Sequence, residues 1–158
     1  DFDDLSGDLA YGARRLWERR KHGAALRLLD SAKHLGATGP KIRCWQELIR
    51  EHPTHTHEPV VSLFMWTCHE PDKIEHFLRL DQTLVQTKRF DLIVKHWDRY
   101  IDGHPLDTRA LLERGGAYHH LARHESALRD FTRACDLGYQ YACRAAERTR
   151  SRLPTPPE

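Results

Sequence analysis

The sequence predicts an all-α fold built from helical hairpins, and three observations carry that expectation. The chain matches itself at a shift of 34 residues, apolar residues recur at helical spacing inside each copy, and polar breaks divide each copy in two. Residues 111–139, LLERGGAYHHLARHESALRDFTRACDLGY, fall on residues 77–105, FLRLDQTLVQTKRFDLIVKHWDRYIDGHP. Gly115 then meets Asp81, Tyr118 meets Leu84, Ala127 meets Ile93, Phe131 meets Trp97 and Ala134 meets Tyr100. Further shifts give two apolar columns three residues apart: Leu26, Val60, Val94 and Leu128, then Leu29, Leu63, Trp97 and Phe131. The copies are 6–39, 40–73, 74–107 and 108–141, with no insertion between them.

Taken in order, block 6–39 places Ala13, Leu16, Ala25, Leu29 and Ala32 at the repeat offsets, and its RRKHGAALRLLDSA parallels LARHESALRDFTRA of the last block. Block 40–73 is degenerate. KIRCWQELIREHP predicts a first helix stopped by Pro53, EHPTHTHE a loop longer than a tight turn, and Pro59 the first turn of a shortened helix reaching about His69. Block 74–107 keeps Leu80 and Pro105. In block 108–141, Leu111, Leu112, Tyr118 and Leu121 form one stripe, LARHES breaks it, and Ala127, Leu128, Phe131 and Ala134 form the next. Gly115 and Gly116 lie inside a predicted helix at a cost of about 1 kcal/mol each against Ala. That cost points to close helix packing, and the small Ala127 opposite agrees. Residues 140–152 predict a capping helix with Tyr141, Ala142, Ala145 and Ala146 inward and arginines in water. Residues 153–158, LPTPPE, form a Pro-rich flexible tail.

The pattern Gly115–Tyr118–Ala127–Phe131–Ala134 resembles the tetratricopeptide repeat (TPR), a 34-residue helix-turn-helix unit. The resemblance implies a right-handed α-solenoid of about four TPR-like hairpins plus the capping helix, one domain over 1–152. It also implies a concave groove lined by the first helix of each hairpin. Carried onto this chain, the groove takes Arg14, Trp17, Glu18, Lys41, Trp45 and Leu48 from the first two hairpins. The later hairpins add Leu78, Gln82, Gln86, Arg109, Glu113, His119 and His120. His124 would sit in the turn. Trp17 and Trp45 are either exposed interface anchors or residues packed between repeats. One branch of the family grips C-terminal carboxylates with Lys, Asn and Arg. The matching positions here are Ala10, Arg14, Trp45, Glu75 and Arg79, and the chain has no Asn, so that ligand class is not expected.

Cys135 and Cys143 flank a Leu-Gly turn signal in ACDLGYQYAC. A metal clip would need further ligands nearby, and a redox pair is usually C-x-x-C at a helix N-terminus. In the repeat register the pair joins the last hairpin to the cap, and a disulfide staple is favoured over two free thiols. The spacing is similar to that of secreted cysteine-rich bacterial helical-repeat proteins, in which such pairs bridge successive hairpins. Some of these are linked to penicillin binding or weak β-lactam hydrolysis. The pairing of Cys44 and Cys68 stays open. Cys44, beside Trp45, reads as a small buried residue rather than a nucleophile.

Composition bounds the function. Charged residues make up 30% of the chain yet cancel to +2, which gives no strong push toward nucleic acid or an anionic membrane. Arg14, Arg15, Arg19, Arg20 and Lys21 read as a solvated face. The longest apolar run, residues 60–68, is far below the ~20 residues of a transmembrane helix. No signal peptide is visible, and the start at Asp1 is expected to reflect a removed leader or a piece cut from a longer chain, membrane-tethered or not. The cysteines favour the periplasm or secretion over the cytoplasm. His52, His55 and His57 are metal-competent types in one loop, but a structural ion usually draws ligands from separated segments. No G-x-S-x-G, H-E-x-x-H or phosphate-binding loop occurs. The favoured function is a protein–protein interaction module binding an extended peptide or helix, without catalysis or cofactor. The alternatives are the penicillin-related role and metal binding through the His52–His57 loop.

Overall fold

The computed structural model describes residues 2–37 and 39–155, and every regular element among them is a helix. The first hairpin is α1 (Phe2–Glu18) and α2 (His22–His34), the second α3 (Pro40–Glu51) and α4 (Pro59–His69). The third is α5 (Ile74–Gln86) and α6 (Phe90–Gly103), the fourth α7 (Thr108–His120) and α8 (His124–Asp136), and α9 (Gln140–Arg150) follows. No helix among the described residues is long and apolar enough to cross a membrane. The tail 153–158 lies partly outside the described residues. The chain groups into two compact units, one ending at His76 and the other beginning at Phe77. In stacked repeats each hairpin packs on its neighbours, so compactness is local.

The repeat register is written in the backbone. Arg20, Lys88 and Ala122 are the non-glycine residues with positive φ, each at the same position of its own block. In each case the next amide reaches back five residues, Lys21 to Leu16, Arg89 to Leu84 and Arg123 to Tyr118, at 2.8–3.0 Å. This left-handed cap satisfies a carbonyl that the helix end leaves without a partner. The degenerate block lacks it, because residues 52–58 replace the tight turn.

In the first unit Ala10, Ala13 and Trp17 of α1, Ala25, Leu29 and Ala32 of α2, and Ile42, Trp45, Leu48 and Ile49 of α3 are buried. The long 52–58 loop is held in two ways. A Cys44–Cys68 disulfide, Cα atoms 5.5 Å apart, ties α3 to α4. The Trp17 indole N–H donates to the His52 carbonyl at 2.7 Å, closing the C-terminal end of α3.

In the second unit Phe77, Trp97 and Tyr100 pack ring against ring. Asp107 caps α7, accepting from the Ala110 amide at 3.0 Å, and Tyr100 Oη donates to its other oxygen at 2.9 Å. Gly115 is buried, and a Cβ there would stand 2.5 Å from the Phe131 ring. Close packing therefore accounts for Gly115, and the Phe131 ring is the first thing a side chain there would meet. At Gly116 a Cβ would meet nothing within 4 Å, so the expectation of close packing fails there. Ala142, Ala145 and Ala146 of α9 are buried, but Tyr141 is 69% exposed. Tyr141 thus faces water, one residue off the buried stripe that Ala142 begins. Cys135 and Cys143 are bridged, Cα atoms 4.6 Å apart, joining the end of α8 to the start of α9.

Candidate functional site

The structure separates the residues expected along the groove into buried and accessible sets. Trp17 is 0% and Trp45 2% exposed, and Leu48 is fully buried. The two indoles meet edge to face at 6.5 Å. Neither tryptophan can anchor a partner. Each is a core residue, because a large ring at a buried helix position contributes more by removing its own area from water than by waiting for a ligand. Of their neighbours, Arg14 and Glu18 pair with each other at 2.8 Å and Lys41 is half-buried.

The His52–His57 loop is likewise structural. His55 stands edge-on to Trp17 at 4.7 Å, and His57 edge-on to His55 at 5.2 Å. His52 meets Phe64 at 6.2 Å. Among the described residues no three His, Cys, Asp or Glu side chains come together to hold a metal ion. All four cysteines are in disulfides, which leaves no thiol for nucleophilic chemistry.

Of the groove positions expected in the second unit, Glu113, His119 and His120 line surface depressions. Along α5, Leu78 is half-buried and Gln82 and Gln86 are exposed. On α7, Arg109 pairs with Glu113 at 2.8 Å, and His119 and His120 close the helix. Two adjoining depressions share Gly116 and His120. The first, about 130 Å³, is lined by Asp81, Val85, Phe90, Ile93, Glu113, Gly116, Ala117 and His120. His120 stacks on Phe90, centroids 4.3 Å apart and planes 8° from parallel. Asp81 accepts from Trp97 Nε1 at 2.6 Å. Burial pushes its carboxyl up to about 6, against the opposing Trp97 hydrogen bond, and Glu113 adds to the rise.

The second depression, about 170 Å³, is lined by Gly116, His119, His120, Phe131, Ala145, Arg148, Thr149 and Arg152. Arg152 Nη1 lies 3.4 Å from His119 Nε2. Burial, then Arg152, His124, His120 and Arg148, hold the His119 imidazole below its ordinary proton affinity. His124 opens α8 rather than sitting in the turn. Gly116, with no side chain, lies in the wall of both depressions, and a Cβ there would meet nothing within 4 Å.

Sequence reasoning missed Asp81, Phe90, Arg148 and Arg152. Asp81 sits in the Gly115 column and could have been found as the odd charge in a packing position. The arginines carried no signal beyond a cap's polar face. In the first unit Trp66 was also missed. It is 42% exposed and stacks on His76 at 5.5 Å.

No family model and no curated protein matches the chain. Among solved structures it is similar to MamA 41-end from Desulfovibrio magneticus RS-1, at 18% identity and TM-score 0.51, over 96% of this chain and 85% of that one. A MamA RS-1 double mutant gives 18% identity and TM-score 0.51 over 94% and 85%. MamA AMB-1 gives 17% and 0.50 over 94% and 82%. MamA is a TPR-like helical solenoid. At this identity the likeness shows the fold alone, a TPR-like helical repeat.

Proposed function

We propose that the chain is a protein-interaction module and that the exposed face of α7 in the second unit receives an extended segment of a partner polypeptide. The observation that carries this reading is the pair of adjoining depressions that share Gly116 and His120. Their lining combines the apolar Phe90, Ile93, Phe131 and Ala145 with the polar Glu113, His119, His120 and Arg148. Apolar and polar side chains so combined are the composition of a peptide site, and rigid helices preorganise it. Gln82, Gln86 and Arg109 add polar side chains on α5 and α7, while Arg14, Glu18 and Lys41 of the first unit contribute only as surface. The chain's charge balance supports a protein partner over nucleic acid. Two disulfides support maturation in an oxidising compartment, the periplasm or outside the cell. No covalent chemistry is assigned to these residues.

Selection of a displayed random-peptide library on the immobilised chain tests the reading. Selected peptides should bind in anisotropy titrations and lose affinity when Gly116→Leu fills the depressions, with helicity retained. Peptides that bind the Gly116→Leu variant as well as the wild type would place the site elsewhere.

A further inference from the structure

We propose that the depression between α7 and α9 is a subsite for an acidic side chain of the bound partner segment. The inference rests on the peptide-binding reading and adds a charge requirement to it.

Arg148 lies in the last turn of α9, and Arg152 lies two residues past the end of that helix. Both line the depression together with His119. Among the described residues neither arginine has a carboxylate partner. The contrast on α7 is direct. Arg109 is paired with Glu113, and Arg114 binds Asp130 through two nitrogens at 2.8 Å and Asp98 at 2.9 Å. Carboxylates neutralise Arg109 and Arg114, and among the described residues none does so for Arg148 or Arg152. Arg152 instead stands against His119, whose depressed proton affinity reflects, after burial, this uncompensated positive field.

The interior suits a carboxylate on a short apolar stem. Gly116 adds no side chain to it, and Phe131 and Ala145 form an apolar wall. The Thr149 hydroxyl is already committed to the Ala145 carbonyl at 2.8 Å, so the available donors are the Arg148 and Arg152 guanidinium groups. At about 170 Å³ the space is below the ~300–1,000 Å³ of pockets that enclose a drug-sized ligand, and it takes one side chain. The neighbouring depression is lined by Asp81 and Glu113. An anionic surface such as a membrane or a nucleic acid would meet repulsion there. A polypeptide with an acidic residue at one position and an apolar or basic one beside it would not.

The test selects displayed random peptides on the wild-type chain and on an Arg148→Gln, Arg152→Gln double variant with unchanged circular dichroism. The wild type should enrich peptides with Glu or Asp at one position beside apolar residues. Replacing that acid by its amide should weaken anisotropy-measured binding about tenfold, as loss of a charge-assisted contact does. The double variant should select apolar peptides without the acid and should bind the acid and amide peptides equally. Peptides selected without an acid, or an acid preference that survives the double substitution, would overturn the subsite and leave the peptide-binding reading intact. If neither protein selects peptides, both fail. Arginine-dependent binding to vesicles containing about one-third phosphatidylserine, with no acidic-peptide preference, would replace the peptide acid by a lipid headgroup and overturn the proposal.

Discussion

Single residues decide which parts of this chain are core and which are surface. Trp17→Ala removes a buried ring and the indole N–H that closes α3, so it should destabilise the chain by about 3–5 kcal/mol in chemical denaturation. An anchor for a partner would leave stability unchanged. The two adjacent glycines should respond in opposite directions. Gly116→Ala relieves the helix cost without a clash and should stabilise by up to about 1 kcal/mol. Gly115→Ala drives a methyl into the buried Phe131 ring and should destabilise by about 1–2 kcal/mol net of the propensity gain. Asp81 gives a pH signature. Its folded carboxyl titrates near 6, above its ordinary 3.8, so the native state binds the extra proton between these values. Its contribution therefore falls as pH rises from about 4 to about 6 and is level above. Because the group is only half-buried, Asp81→Asn should raise stability at pH 7 by about 1 kcal/mol, less than the full shift implies, and should flatten the pH dependence in denaturant titrations.

Elements were legible wherever the pattern had a local cause. The 34-residue shift placed the hairpins because the same left-handed turn recurs at Arg20, Lys88 and Ala122. Pro59 located α4 because its fixed φ suits only the first helical turn. Burial was less legible. Trp17 and Trp45 lie on first helices, and helical periodicity alone does not say which neighbour covers that face. Gly115 and Gly116 look alike in sequence, and their difference arises from one ring on α8. The cysteine pairs act at this scale too. The short Cys135–Cys143 link should contribute about 2–3 kcal/mol, and the longer Cys44–Cys68 link about 3–4 kcal/mol. Cys143→Ser should speed amide exchange in α9 selectively. Cys68→Ser should lower the melting temperature of the first unit further, because its loop has no tight turn to replace the bridge.

For the whole molecule, the helical-repeat architecture was readable from 34-residue self-similarity, while the site was not. Its determinants are scattered over α5, α6, α7, α8, α9 and Arg152 just beyond, and most of them look like ordinary core or surface residues in sequence. Asp81 and Phe90 reach the same depression only because α5 and α6 pack together, and Arg148 and Arg152 face His119 only because the disulfide and the alanine stripe dock α9 on α8. On the proposed reading α7 is the receiving face. Amide hydrogen exchange of the chain with and without a selected peptide tests this most directly. Slowed exchange concentrated in α5, α7 and the last turn of α9 is the predicted result; slowing confined to α1–α4, or spread evenly over all helices, would contradict it.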